Sequence, residues 1–474
     1  RLISRTGPWF RVNKLAYSEI GSLAAPIKAL IAAELVVEAD GLSTQELGKL
    51  YTKPELECAF AELLEKPRTG SKAELLSIIE SSVLEHEQQL TQITASITGQ
   101  IIAPVSVEIV ERLQILFFGN RHQGLTDFVL SDLGLAKYYP YDLNIKNRLF
   151  TVREALDEYL YNCEFQDIFY QFLELDDTGG IVEIAEVLVE MEIIFPQNRH
   201  RWDRVFNTVA RELERREQRA LALCLYKRSA RHPARERRMR ILAASDDWAG
   251  VVTASEEILS NPWSEAEREA GEVLLARAKR KLGGAAIPRR AEQFPEARLT
   301  LSQGGQGVEL DAAGYLSEQW RSVHFVENSL MNTLFGLAFW QQIFADVPGA
   351  FDNPFQGGPR DMYDGGFFRH RTEAIERRMM ELRNCNLRGE INRAFRLYCD
   401  YQCHWADWRL VDASLLDTAL EIIPPDHLFA IWERQLFDPA ENRSGFPDLI
   451  AFGAGGAGDY AMIEVKGPGD TLQS

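Results

Sequence analysis

The sequence runs to 474 residues, with 52 Lys and Arg against 70 Asp and Glu, a formal net charge of −18 and 46% hydrophobic residues. A chain this long exceeds one hydrophobic core, so roughly two to four domains are expected. No apolar run approaches the ~20 residues that a membrane-spanning helix needs, and the N-terminus lacks a signal-peptide pattern, so no membrane partner is expected. The acidic total opposes encounter with a polyanion by long-range repulsion unless positive charge is gathered in one place. Six scattered cysteines, Cys58, Cys163, Cys224, Cys385, Cys399 and Cys403, form no disulfide framework and read as reduced thiols.

In chain order, the first region, 1–110, is predicted helical, with apolar residues three and four apart from Ile27 to Val37 and from Leu75 to Leu84. Thr69-Gly70-Ser71 supplies a turn and an N-cap before the second helix. Between 111 and 151, Phe128-Val129-Leu130 and Tyr138-Tyr139-Pro140-Tyr141 are short, aromatic and turn-bounded, which predicts a small strand or loop platform. From 152 to 300 successive amphipathic helices of about ten to fifteen residues suggest helix-hairpin repeats without a clean period. Gly283-Gly284 and Ser302 to Gly307 mark a domain boundary or linker before a last domain, 301–474. That domain is predicted to hold a helix from Asn328 to Phe344, a Pro/Gly/Asp-rich loop from Val347 to Gly366, and helices over Glu373 to Arg383 and Glu390 to Tyr401. It closes on two strands, Asp448 to Phe452 and Tyr460 to Val465, joined by the glycine-rich turn Gly453 to Asp459.

Charge is not spread evenly. Between Arg199 and Arg240 stand fourteen Lys or Arg residues against five acids, Asp203, Glu212, Glu214, Glu217 and Glu236, a local balance of +9. Such an island attracts phosphate through counterion release and arginine forks, which makes it the candidate DNA-backbone surface; a solvated helix face is the plainer alternative.

Phosphodiester cleavage with divalent ions needs hard oxygen ligands that converge, plus a group that orients the attacking water. The C-terminal hairpin supplies them: Asp448 opens one strand, Glu464-Val465-Lys466 closes the other, and strand alternation puts Glu464 and Lys466 on one face. Val465 offers its main-chain carbonyl as a further ligand. On spacing alone a plain hairpin with solvated charges remains open. The glycines from Gly453 to Gly458 lack the following helix and the Gly-Lys-Ser/Thr ending of a nucleotide-binding loop, so a hairpin turn is expected. Cys399, Cys403 and His404, with Cys385, are too loosely spaced to favour zinc over packed thiols.

The wider context carries a resemblance. Arg443-Ser444-Gly445-Phe446-Pro447-Asp448-Leu449, followed by Met462-Ile463-Glu464-Val465-Lys466-Gly467-Pro468-Gly469-Asp470, resembles the virus-type replication-repair (VRR-NUC) nuclease domain of the restriction-endonuclease-like PD-(D/E)xK superfamily. Upstream, His324-Phe325-Val326-Glu327, Thr333 to Leu337, Trp340, Phe367-Phe368, Arg371 and Glu376 extend the match, with Glu327 at the position of an additional metal-site glutamate. With helical regions in front, the whole is similar to the Fanconi-anaemia-associated nuclease family. Gly70 to Leu76 looks like the second helix of a SAP-like fold, and Phe128-Val129-Leu130 resembles the segment after it.

The resemblance implies a mainly helical multidomain chain, SAP-like then TPR-like, followed by an α/β nuclease domain. It implies cleavage near a 5′ flap and stepwise 5′-to-3′ cutting of branched DNA with Mg²⁺ or Mn²⁺, in repair of damage such as interstrand crosslinks. Glu327, Asp448, Glu464 and Lys466 inherit catalytic roles, and Arg201-Trp202-Asp203-Arg204 resembles a motif that recognises a 5′-terminal phosphate, with Arg204 the alternative partner of a neighbouring acid. The family's Gln-containing helix after the Glu-x-Lys strand is not met before Ser474, so the nuclease domain is expected to be incomplete. A paired-cysteine and histidine zinc module is not met either, which favours a bacterial-type member or a trimmed chain, cytoplasmic if bacterial and nuclear if eukaryotic. Rival readings are a catalytically silent branched-DNA scaffold, a dimeric junction resolvase and a helical-repeat protein adaptor.

Overall fold

The computed structural model describes residues 1–3, 5, 7–17, 20–39, 42–60, 71–85, 100–144, 148–284, 294–301, 307–363 and 365–467. The turn at Thr69-Gly70, the glycine run from Ser302 to Gln306, and Pro468 to Asp470 lie outside the described residues. The chain divides into two compact units, Arg1–Thr126 and Asp127–Ser474.

In the first unit, helices Ala24–Ala32, Thr44–Leu50, Lys53–Ala59 and Lys72–Glu85 accompany a three-stranded antiparallel sheet. Its strands β1 (Phe10–Arg11), β2 (Val36–Glu38) and β3 (Ile101–Pro104) run in the order β1-β3-β2. The helix expected to reach Val37 therefore stops at Ala32. Glu34 takes a left-handed φ of 57°, which breaks the helical path, and β-branched Val36 and Val37 then pair with Pro104 and Ala103. Ser43 and Thr52 cap the two short helices with reciprocal glutamates Glu46 and Glu55.

The second unit begins with a correction. Phe128-Val129-Leu130 lies inside a helix, Leu125–Asp132, rather than a strand; Gly134, at φ 68°, ends it, with Leu133 N–H bonded to the Val129 carbonyl at 3.0 Å. The strand signal at Tyr138 holds: β4 (Lys137–Tyr138) pairs in parallel with β6 (Tyr401–Gln402).

Seven helices follow, from Arg153–Glu174 to Glu265–Lys281. A repeated capping device sits in their turns. Asp176-Asp177 and Asp246-Asp247 each place the first aspartate at positive φ, 52° and 57°, while the second caps the next helix by accepting from Gly180 N–H and Gly250 N–H. This Asp-Asp-x-x-Gly unit is the periodic element that apolar spacing alone does not reveal. Trp202, Phe206, Val209, Leu213, Leu225 and Tyr226 form the buried centre of this region.

The last layer is built on strands β5 (Ser322–Phe325), β7 (Leu449–Phe452) and β8 (Tyr460–Ile463), antiparallel in the order β5-β7-β8. All four β7 residues are buried, as expected of a central strand. Ile450 and Phe452 join a core with Leu334, Phe335, Trp340, Ile375, Trp405 and Trp432. Helix Ser329–Ala338 lies close against this core. A Cβ at Gly336 would stand 2.8 Å from the Trp405 carbonyl oxygen, so only glycine permits the approach. The predicted 373–383 and 390–401 helices are observed as Phe367–Asn384 and Leu387–Tyr398, the first lengthened by an apolar N-terminal turn that seats Phe367 in the core.

Candidate active site

The site grows from the register of the sheet. Ser322↔Phe452 through Phe325↔Leu449 pair on one side of β7, and Leu449↔Ile463 through Phe452↔Tyr460 on the other. One step beyond, the same register sets Asp448 between Val326 and Glu464. Residues directly opposite in an antiparallel pair share a face, so Asp448 and Glu464 leave the sheet together. That is the face on which Ile450, Phe452 and Val326 meet the helical core.

The hydrogen bonds fix these positions. The Asp448 carbonyl accepts from both Val326 N–H at 2.9 Å and Glu327 N–H at 3.1 Å, which anchors the Glu327 backbone against the hairpin. The Asp448 carboxylate accepts from Val465 N–H at 2.9 Å. Lys466 donates to the Glu464 carboxylate at 2.5 Å, so the two share a face as alternation requires. Asp448 is half-buried, whereas Glu327, Glu464 and Lys466 are exposed.

Two asparagines that no sequence motif singled out hold the segment before Asp448. Asn328, in a left-handed conformation at φ 57°, accepts from Phe446 N–H at 3.0 Å through its side chain. One turn on, Asn332 donates to the Arg443 carbonyl at 2.7 Å and accepts from buried Gln435 at 2.9 Å. An asparagine at 8% exposure in the mostly apolar helix Ser329–Ala338 is the signal that points to this clamp.

Among the described residues no three His, Cys, Asp or Glu side chains stand close enough together to hold a metal ion. The hairpin therefore gathers Asp448, Glu464, Val465 and Lys466 with the Glu327 backbone beside them, but the carboxylates are engaged by a main-chain N–H and an ammonium. Their chemistry, carboxylates plus a main-chain carbonyl, fits a hard divalent cation. Cys403 is a buried core thiol whose pKa is pushed up to about 12 by burial, which agrees with packed cysteine at that position. The glycine turn is a hairpin connection, ordered by Asp459, whose carboxylate accepts from Gly455 N–H at 2.6 Å.

All five acids of the basic island are paired with its own cations, and Asp176 and Glu267 add two carboxylates from outside it. Eight of its cations, Arg199, Arg211, Arg215, Arg216, Arg219, Arg235, Arg237 and Arg240, are seen in ion pairs with carboxylates. Arg204 is exposed and enters no such pair among the described residues, contrary to the alternative in which it meets a neighbouring acid. Arg201 lies over the Tyr159 ring, its guanidinium 4.6 Å from the centroid. Burial, with Arg360 nearby, lowers its pKa to about 10. His200 is held neutral, its pKa lowered to about 3 by burial and by the guanidinium charges of Arg201, Arg360, Arg204 and Arg231. Four arginines from three segments thus converge, with Asp352 as the carboxylate paired to Arg360 at 3.3 Å. Arg231 and Arg360 have no local motif that would single them out in sequence.

Comparison with known proteins agrees with this architecture. Residues 383–474 match the VRR-NUC domain. A protein of Pseudomonas aeruginosa, Fanconi-associated nuclease 1 homolog, is 32% identical over 480 residues, a match covering 100% of this chain and 84% of that protein. Homologs from Oryza sativa subsp. japonica and Arabidopsis thaliana are 25% and 24% identical across 100% of the chain, which spans 55% and 59% of their lengths. The crystal structure of paFAN1 bound to 2nt 5′ flap DNA with gap superposes with a TM-score of 0.84 at 30% identity, covering 100% of this chain and 86% of that one. Its counterpart with a 1nt 5′ flap gives 0.81 at 31% identity. No helix among the described residues is long and apolar enough to cross a membrane. With a relative this similar along its whole length, the chain belongs to the Fanconi-associated nuclease 1 family.

Proposed function

We propose that this chain is a structure-specific DNA nuclease that cuts near a 5′ flap and trims stepwise from a 5′ end, in repair of lesions such as interstrand crosslinks. The observation that carries the reading is the β7–β8 register, which sets Asp448 opposite Glu464 with Lys466 on the same face. The likeness to paFAN1 bound to 5′ flap DNA supports the substrate class. Repeated Asp-capped helix hairpins support a TPR-like reading of 152–300, and the helix Lys72–Glu85 a SAP-like one of the first region.

Asp448, Glu464, the Val465 carbonyl and Glu327 would hold Mg²⁺ or Mn²⁺, which when bound stabilises charge on the attacking and leaving oxygens of an in-line displacement. The chain's own contribution is positional. The Val465 N–H bond orients the Asp448 carboxylate, and the Asn328 and Asn332 bonds fix the backbone that leads to it. Lys466, an ammonium beside Glu464, orients the nucleophilic water and offsets negative charge that develops on the phosphate. Arg201 and Arg204 on the helix Arg199–Arg215 are the anchor for a 5′-terminal phosphate, a dianion that four neighbouring guanidiniums would bind through charge-assisted bonds.

A panel of end-labelled flap, nicked and four-way-junction substrates, each with and without Mn²⁺, tests the reading. Metal-dependent incision near the flap is expected. Flap binding without labelled product would identify a silent scaffold, and paired incisions across the junction would identify a resolvase.

A further inference from the structure

The Pro/Gly/Asp-rich loop between the helices Trp340–Ile343 and Phe367–Asn384 carries Asp352 and Arg360 of the basic cluster. It is pinned along its length. Tyr141 stacks on Phe351 with centroids 3.9 Å apart and donates to the Asn353 carbonyl at 2.6 Å. The Gly357 carbonyl accepts from His404 N–H at 2.8 Å, and a Cβ at Gly357 would stand 2.9 Å from the His404 ring. At its end, Asp361 is bridged to buried Arg371 at 2.6 Å. Such a loop is a spacer of fixed length.

Tyr363 lies where this spacer meets both halves of the proposed site. On one side its carbonyl accepts from Arg231 at 2.6 Å, and Arg231 is one of the four guanidiniums around His200. On the other side its hydroxyl shares a hydrogen bond of 2.8 Å with His404 Nδ1 and accepts from Arg443 at 3.3 Å. Arg443 also donates to the His404 carbonyl at 3.3 Å and is held through its own carbonyl by Asn332. It opens the run of residues that ends at Asp448. Direct bonds therefore run from Arg231 of the basic cluster through one tyrosine to Arg443, five residues before Asp448 in the chain. Desolvation, with Arg443 nearby, lowers the pKa of the His404 ring.

We propose that Tyr363 is a positioning residue that holds the basic cluster at a set distance from the acidic hairpin and thereby selects which phosphodiester is cut. This rests on the reading of Arg201 and its neighbours as the anchor for a 5′-terminal phosphate. Tyr363→Phe keeps the ring and the carbonyl bonded to Arg231 and removes the hydroxyl end of the strut.

The test uses the full chain and a 3′-labelled flap substrate whose product lengths report the cut position, prepared with a 5′-phosphate and with a 5′-hydroxyl. On the phosphorylated substrate Tyr363→Phe should retain incision but raise the share of cuts at neighbouring positions by roughly 3- to 10-fold, the worth of one hydrogen bond. On the hydroxyl substrate, which cannot use the anchor, the variant and the unchanged chain should give the same spread. An unaltered cut distribution in the variant, or an equal change on both substrates, would overturn the assignment of Tyr363 alone. An unchanged chain that cuts no flap substrate would overturn the functional reading, and this inference with it.

Discussion

The acidic hairpin and the guanidinium cluster around His200 hold opposite charges by opposite means. The carboxylates of Glu327 and Glu464 are exposed at the end of a sheet, open to solvation by water, and Lys466 pairs with Glu464. The cluster instead draws Arg201, Arg204, Arg231 and Arg360 together from distant segments, and Arg201 and His200 are desolvated enough to lose basicity. Concentrating like charges in a partly buried place raises the free energy of the empty cluster, and an arriving anion relieves it. The difference matches the proposed division, in which the hairpin serves the chemistry and the cluster captures the 5′-phosphate.

Four experiments sharpen or break that division, beginning with the largest effect. Asp448→Ala should lower flap incision by at least about 1000-fold with Mn²⁺ while binding stays within about threefold, because it removes a proposed metal ligand and leaves the cluster intact. Retained metal-dependent incision in a cleavage assay would end the assignment. Arg201→Ala should do the reverse, weakening binding of 5′-phosphorylated flaps by roughly 30-fold relative to 5′-hydroxyl flaps. Fluorescence anisotropy titrations of the two substrates measure the ratio, and equal loss on both would assign Arg201 to packing.

The third concerns acid. Because the His200 ring has a pKa of about 3 in the fold against an ordinary 6.5, the unfolded chain takes up a proton that the folded one refuses. The associated stability is fully present above pH 6.5 and is lost as pH falls toward 3. Urea melts at about pH 6.5 and pH 5 should show a fall of about 1.5 kcal/mol that is missing in His200→Gln. An equal fall in both proteins would mean that other groups set the acid sensitivity. The smallest effect is expected from Asn332→Ala, which strips the Arg443 carbonyl and Gln435 of a partner at a cost of about 1 kcal/mol. A thermal melt that does not move would show that water takes over both bonds.

The acidic half was legible because its order in space follows its order in the chain: two strands and one turn bring Asp448 and Glu464 face to face, and period-two alternation carries Lys466 along. Glu327 was reachable through its family context alone, since β5 pairs with a strand more than a hundred residues later. The cluster could not be read in the same way. The local balance of +9 already set the five acids of this segment against its fourteen cations, but it missed Asp176 and Glu267, which pair with Arg216 and Arg235 from outside the segment. It also left out Arg360, which lies far along the chain in a loop that reads as irregular. Phe128 to Leu130 misled because a short apolar run has no period of its own, and the Gly134 stop decides it as helix.

Strand β7 has partners on both edges and no exposed residue. Its amide protons can exchange with solvent only when the surrounding layer opens as a whole, since no fraying edge is available to it. Asp448 is joined directly to that strand, so heat inactivation of the hairpin and melting of its layer should be one cooperative event, with no range of temperature in which a folded layer carries a loosened aspartate.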